Sequence, residues 1–386
     1  MKIRASRTTM LAMALLCLGT GCDRQAGPSQ GRAADAQAAA TASAVDDEES
    51  RRSRFDATMQ RHGIPGAQLA RIHHGVREEY VYGVMSKASG EPVTGQTVFE
   101  AASLSKVVAA YVTLRLADQG RIDLDAPLWS YWHSPRTEGD AAARTITARM
   151  VLDHTTGLPN WQISPTDPAL DSTPLAAGFA PGTRFQYSGE GFYLLQKTLE
   201  HITGLDWNAL ARQEAFEPLD MPSSSYLTDP ALDGVRASGH AKDGTVRPVR
   251  VFAKGNTAWT LVTNASDYAN FVRRALYAGE GLAPATHALM FAEASDADDR
   301  DVPTPADPFV AWGLGVGLQT TAAGKRVWHW GDNPGFKAFF MLDPESGDSV
   351  VLFTNSENGL AAYKDVLEAF LGEGEYPAVD WARAQS

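Results

Sequence analysis

The stretch from Ser103 to Gln119 constrains this chain more than any other. Leu104, Val107, Val108, Ala109, Val112, Leu114 and Leu116 recur at helical spacing, and Gly120 stands where a left-handed residue commonly ends a helix. The first three turns are apolar almost all round, which predicts a central helix with other elements packed on every side. Yet this buried helix opens on Ser103-Leu104-Ser105-Lys106. Residues three apart share a helix face, so the Ser103 hydroxyl and the Lys106 amine can meet. Val107-Val108-Ala109-Ala110 follow directly, and no acidic residue is near in sequence. Desolvation in that setting lowers the pKa of an amine and makes it a base for the serine. The start of a helix also places Ser103 among backbone N–H groups that lack intrahelical partners.

The flanking sequence changes period. Ala67–Ile72 and Glu78–Val84, separated by His73-His74-Gly75, predict an antiparallel hairpin. Strands are predicted again at Gly313–Thr320, Lys325–Trp330, Phe336–Leu342 and Ser349–Phe353, followed by a helix over Leu360–Leu371. Between these ends Gly191–Ile202 and Ala265–Tyr277 are the clearest helices. Strands at both ends with helices between predict an α/β fold, its layer built from about 54–127 and 306–371. A largely helical insertion would occupy about 128–305, and 372–386 reads as a polar tail.

The first residues read as an address. Lys2, Arg4 and Arg7 precede the short apolar run Met10–Leu18, and Gly19-Thr20-Gly21-Cys22 follows. The run is too short to span a bilayer as a helix but suits an export signal over 1–21. Gly21-Cys22 resembles a bacterial lipoprotein cleavage site, which would make Cys22 the lipidated first residue. The expectation is an exported envelope protein, anchored to the membrane through lipid and facing the periplasm. Residues 22–53 are poor in large apolar side chains and read as a flexible tether. Cys17 and Cys22 are the only cysteines, so the folded part has no disulfide and no cysteine-built metal site. A formal charge of −12 with no dense basic run argues against nucleic-acid binding.

Two further segments join the serine and lysine. Arg184-Phe185-Gln186-Tyr187-Ser188-Gly189 precedes a helix, and Trp328-His329-Trp330-Gly331-Asp332 lies on a late strand. With Ser103-x-x-Lys106, Tyr187-Ser188-Gly189 and His329-Trp330-Gly331 in this order, the chain resembles the serine β-lactamase and penicillin-binding-protein superfamily. The branch is that of class C β-lactamases, D-alanyl-D-alanine carboxypeptidases, D-aminopeptidases and related esterases. Phe99-Glu100-Ala101-Ala102, Leu152-Asp153-His154-Thr155-Thr156-Gly157-Leu158-Pro159, Pro181-Gly182 and Trp312-Gly313-Leu314-Gly315 are similar to the connecting text of that family. No G-x-S-x-G and no H-E-x-x-H occurs.

The resemblance implies an antiparallel sheet flanked by helices, with an inserted helical part. It also implies roles. Ser103 would be the nucleophile, Lys106 and Tyr187 the proton carriers, and the backbone N–H groups of Ser103 and Asp332 the oxyanion hole. His329, Trp330, Gly331 and Gly189 would meet substrate, with Gly331 admitting it close to the strand and no metal or cofactor needed. Two departures stand out. Gly189 occupies the place of the family's asparagine, whose amide binds an acylamino group, and Glu190 beside it reads as a solvated acid at a helix start. His329 replaces a lysine, so a permanent charge for a substrate carboxylate is lost. His154 reads as a structural histidine bonded to backbone, and His73-His74 as a turn without function.

The reading is a serine hydrolase that cleaves an ester or amide of a small molecule or peptide through an acyl-enzyme on Ser103. The alternatives are a true β-lactamase or D-alanyl-D-alanine carboxypeptidase, and a non-catalytic envelope lipoprotein that binds peptide or glycan in the cleft.

Overall fold

The computed structural model describes residues 47–386, so the export segment, Cys22 and most of the tether lie outside the described residues. Ser50–Ser386 form a single folded unit. The strands are β1 (Gly66–His73), β2 (Val76–Gly83), β3 (Phe99–Glu100), β4 (Val262–Thr263) and β5 (Ser295–Asp296). They continue with β6 (Val310–Trp312), β7 (Gly317–Thr321), β8 (Gly324–Asn333), β9 (Phe336–Leu342) and β10 (Ser349–Thr354). Eight of them form one sheet in the order β2-β1-β10-β9-β8-β7-β6-β5, and every pairing is antiparallel. The first strand therefore zips onto the last, which joins the two ends of the chain into one layer. β3 and β4 pair separately beside it.

The two faces of the sheet bury different sets of side chains because successive residues of a strand point to opposite sides. Val327, Ala338, Phe340, Leu342, Val351 and Phe353 share a core with the central helix. Trp328, Trp330, Phe339, Met341, Val350 and Leu352 belong to a second core on the other side. The helices are α1 (residues 47–61) and α2 (Leu104–Asp118), then α3 (Ala148–Leu152), α4 (Gly189–Thr203) and α5 (Trp207–Ala211). They end with α6 (Ala265–Phe271), α7 (Pro284–Met290), α8 (Gly359–Leu371) and α9 (Pro377–Ala384). α2 is the buried central helix the sequence predicts: every residue from Leu104 to Leu114 is buried. α1, α8 and α9 contribute Phe55, Met59, Tyr363, Phe370 and Trp381 to the second core.

Several boundaries differ from the sequence reading, each for a local reason. The tether gives way to helix by residue 47, and Phe55 and Met59 explain why: they anchor α1 in the core. The segment 372–386 is no tail. Pro377 starts α9, whose Ala378, Val379, Trp381 and Ala382 are buried, and Trp381 Nε1 donates to the Ala297 carbonyl at 3.0 Å. Its average polarity hides a one-sided apolar pattern. The predicted helix at 265–277 is α6 followed by a π-helical turn over Val272–Tyr277. Of the predicted strand at 313–320 only the part from Gly317 is strand, in β7, while Gly313–Val316 form the turn from β6. Gly315 has φ +83°, and a Cβ there would lie 2.1 Å from Ala110 Cβ of α2, so only glycine lets this turn press on the central helix. Among the described residues no helix is long and apolar enough to cross a membrane.

Candidate active site

Ala102, a non-glycine residue at φ +49°, makes the turn between β3 and α2 and presents Ser103 at the helix start. Ser103 is partly exposed whereas Lys106, one turn on, is buried. Lys106 Nζ lies 3.1 Å from Ser103 Oγ and donates to the Ala258 carbonyl at 2.9 Å. It also sits over the rings of Tyr187 and Phe192, at 4.8 and 5.8 Å from their centroids. No carboxylate among the described residues pairs with it. Burial pushes the Lys106 pKa down to about 7. Near neutrality much of this amine is uncharged, and its lone pair then faces the Ser103 hydroxyl. Lys106 and Ser103 are brought together as their spacing requires.

Tyr187 and Ser188 come from the segment that caps α4. Ser188 Oγ accepts from Gly191 N at 2.9 Å and donates to the Pro159 carbonyl at 2.9 Å, while Ser188 N donates to His154 Nδ1 at 3.0 Å. His154 is therefore a structural histidine that accepts from backbone, and burial holds its pKa well below the ordinary value. Its ring lies 4.4 Å from that of Tyr187 and fixes the tyrosine from one side. Trp330 packs against the same tyrosine at 4.8 Å. Tyr187 Oη is buried beside Ser103 without a hydrogen bond of ordinary length in the resting site, and burial raises its pKa.

β8 delivers the third segment. β7 begins at Gly317, opposite Trp328, so residues 329–333 of β8 have no strand partner on that side. Asn333 and Phe336 close a two-residue turn, which makes the next pair, Asp332 with Lys337, a non-hydrogen-bonded one. The Asp332 N–H thus points to the open edge of β8. The Ser103 N–H likewise makes no hydrogen bond among the described residues. Gly331 sits where β8 crosses the start of α2. A Cβ at this position would lie 2.3 Å from the Ala101 carbonyl oxygen and 3.1 Å from Ala102 Cβ. Glycine is thus demanded by the protein's own backbone, where the sequence reading assigned it to substrate access.

His329 and Trp330 also differ from expectation. His329 is fully buried, its Nδ1–H donates to the Trp330 carbonyl at 2.7 Å, and its Nε2 has no partner. Burial, with the Lys106 charge second, pushes its pKa down to about 3. It offers a neutral ring and no charge to a substrate carboxylate. Trp330 is buried among Trp381, Trp328 and Trp312, at 5.2, 6.0 and 6.3 Å. It backs Tyr187 and does not line a cleft.

At the head of α4, Glu190 is not solvated. It is wholly buried, and Arg136 clamps both its oxygens at 2.6 and 3.0 Å while Gln162 N donates to it at 3.1 Å. The neighbouring Gly189 lies under the Trp161 indole, and a Cβ at 189 would stand 2.5 Å from Trp161 Cζ2. An asparagine could not be built there without moving Trp161. Sequence reasoning missed Asn333 and Arg136, and gave Glu100 and Trp161 no part of their own in the site. Glu100 and Asn333 lie 233 positions apart, and no local period marks such a pair. His73 and His74 fall at the β1–β2 turn, where His73 Nδ1 lies 2.7 Å from Asp348.

The chain is similar to known proteins in sequence and in fold. Penicillin-binding protein 4 of Amycolatopsis lactamdurans is 27% identical over 339 residues, 83% of this chain and 88% of that one. Esterase EstB of Burkholderia gladioli is 26% identical over 51% of this chain and 55% of its own length. A solved structure of SurE matches with a TM-score of 0.72 at 26% identity, covering 86% of this chain and 78% of that one. D-alanine carboxypeptidase AmpC of Burkholderia cenocepacia, at 21% identity and a TM-score of 0.68 over 84% and 99% of the two chains, shows the fold alone. The Beta-lactamase family pattern matches residues 51–372, and with the antiparallel sheet, the central helix and the Ser103–Lys106 pair in place, the chain belongs to that family of hydrolases.

Proposed function

We propose that the protein is an esterase-type serine hydrolase that forms an acyl-enzyme on Ser103. The observation that carries this reading is the buried, carboxylate-free Lys106 amine 3.1 Å from Ser103 Oγ. In the acylation step the Ser103 oxygen attacks the ester carbonyl carbon while its proton passes to neutral Lys106. The carbonyl oxygen takes the negative charge and is met by the N–H groups of Ser103 and Asp332. Collapse of the tetrahedral intermediate breaks the bond to the leaving alcohol, which receives a proton through Tyr187 or Lys106. Water then repeats the sequence on the acyl-enzyme. The Lys106 amine held 3.1 Å from Ser103 Oγ counts against a non-catalytic binding role.

The preference for esters over β-lactams rests on the two departures. Neutral, buried His329 supplies no charge for a carboxylate, and Gly189 supplies no amide. A substrate group left unpaired forfeits about 1–3 kcal/mol, so two such losses cost several powers of ten in kcat/KM. Short-chain p-nitrophenyl esters need neither contact. The test is kcat/KM for such an ester and for a chromogenic cephalosporin, measured on one preparation at neutral pH. Faster cephalosporin turnover would favour a β-lactamase and defeat the ester reading.

Placement in the cell rests on sequence alone. Gly21-Cys22 at the end of a short export signal supports a lipid-anchored envelope protein facing the periplasm, and these residues lie outside the described ones.

A further inference from the structure

Residues 159–162 are fastened to the head of α4 by four polar atoms. Pro159 O accepts from Ser188 Oγ at 2.9 Å. Asn160 O accepts from Gly189 N and Glu190 N at 3.1 and 3.0 Å, and Asn160 Oδ1 from Gly189 N at 2.9 Å. Gln162 N donates to Glu190, which Arg136 holds from behind. The first N–H groups of α4, which would otherwise be free to receive an anion or a carbonyl, are thus consumed by the protein itself. Between these anchors Trp161 lays its indole across the bare Cα of Gly189, two residues after Tyr187. The ring is packed on the core at one face and stays only partly buried. The arrangement replaces hydrogen-bonding capacity at position 189 with an aromatic surface. Such a surface gains from flat or apolar groups and leaves a buried amide unpaired.

We propose that Trp161 is the acyl-side wall of the cleft and selects acyl groups that present an apolar or aromatic face, against acylamino groups of similar length. This inference rests on the acyl-enzyme reading of Ser103. It also changes what substitution at 189 would do: Gly189→Asn pushes the indole away and does not restore an amide site.

The experiment compares p-nitrophenyl phenylacetate, acetate and N-acetylglycinate. Wild-type kcat/KM should favour phenylacetate over N-acetylglycinate by at least ~10-fold, the scale on which a pocket contact discriminates. Trp161→Ala should collapse the phenylacetate-to-acetate ratio by a similar ~10-fold factor, and Trp161→Phe should recover most of it. A wild-type preference for N-acetylglycinate overturns the proposal, and needs no variant to fold. A ratio unmoved in Trp161→Ala, or moved as far in Trp161→Phe, overturns it too. If no ester is turned over and Ser103 resists a fluorophosphonate, the hydrolase reading falls and this inference with it. Normal labelling of Ser103 with the wrong ratio sinks the inference alone.

Discussion

Asn333 Nδ2 donates to Glu100 Oε2 at 2.8 Å and so ties the end of β8 to the residue three before Ser103. The two backbone donors assigned to the oxyanion hole stand on either side of this tie. Glu100 is buried and also pairs with Arg250 and, at 3.8 Å, with Arg236. Asn333 reaches the Trp259 carbonyl at 3.3 Å as well. These contacts link the end of β8, which carries Asp332, to the segment that leads into Ser103.

This tie predicts a split between two substitutions. Asn333→Ala leaves Glu100 with its arginines, so the fold should persist while kcat for ester hydrolysis falls roughly 10-fold and KM stays near its wild-type value. Glu100→Ala leaves Arg236 and the partly exposed Arg250 without their carboxylate and should cost at most about 3–5 kcal/mol in urea unfolding. Equal effects of Asn333→Ala on kcat and KM would mean that the pair only supports folding.

The pH dependence follows from Lys106. As a base it must be neutral, and burial brings its pKa to about 7, so kcat/KM should rise with pH to a plateau with a midpoint near 7. His329, held at about 3, stays neutral throughout this range, and His329→Gln should leave the midpoint in place. An inflection near 10 would show that Lys106 is not desolvated in solution.

The same burial carries a stability cost. Folded Lys106 has a lower pKa than the unfolded lysine, so the unfolded chain binds the extra proton between about pH 7 and 10.5 and stability rises with pH there. The cost is fully present below pH 7. Lys106→Met should therefore stabilise the protein by roughly 2–5 kcal/mol at pH 6 and by much less at pH 10, while abolishing ester hydrolysis. Thermal unfolding at the two pH values checks this, and a pH-independent difference would contradict it.

Much of this site could be read from sequence because its signals are local. Ser103 and Lys106 are one turn apart, and the mostly apolar strands Phe336–Leu342 and Ser349–Thr354 lie at the predicted places and are buried along their whole length. What escaped depends on distant partners. Glu190 looks like any helix-start acid until Arg136, 54 residues away, is folded onto it. Trp161 gains meaning only from the missing side chain of Gly189, and Gly331 from the carbonyl of Ala101. Trp381 turns a polar-looking terminus into a docked helix through one bond to Ala297.

The lipid anchor proposed at Cys22 is tested independently of the enzyme. Cleavage before Cys22 predicts a mature protein that partitions into detergent and whose intact mass includes acyl chains on Cys22. Recovery of an unmodified form cut beyond Cys22 would remove the lipoprotein reading and leave the hydrolase untouched.

The most direct test is to trap the covalent intermediate. Incubation with a fluorophosphonate, or a rapid acid quench during ester turnover, followed by intact mass and peptide mapping, should place one adduct on Ser103. Ser103→Ala should carry none and hydrolyse no ester above background. An adduct on another residue, or undiminished turnover by Ser103→Ala, would contradict Ser103 as the nucleophile.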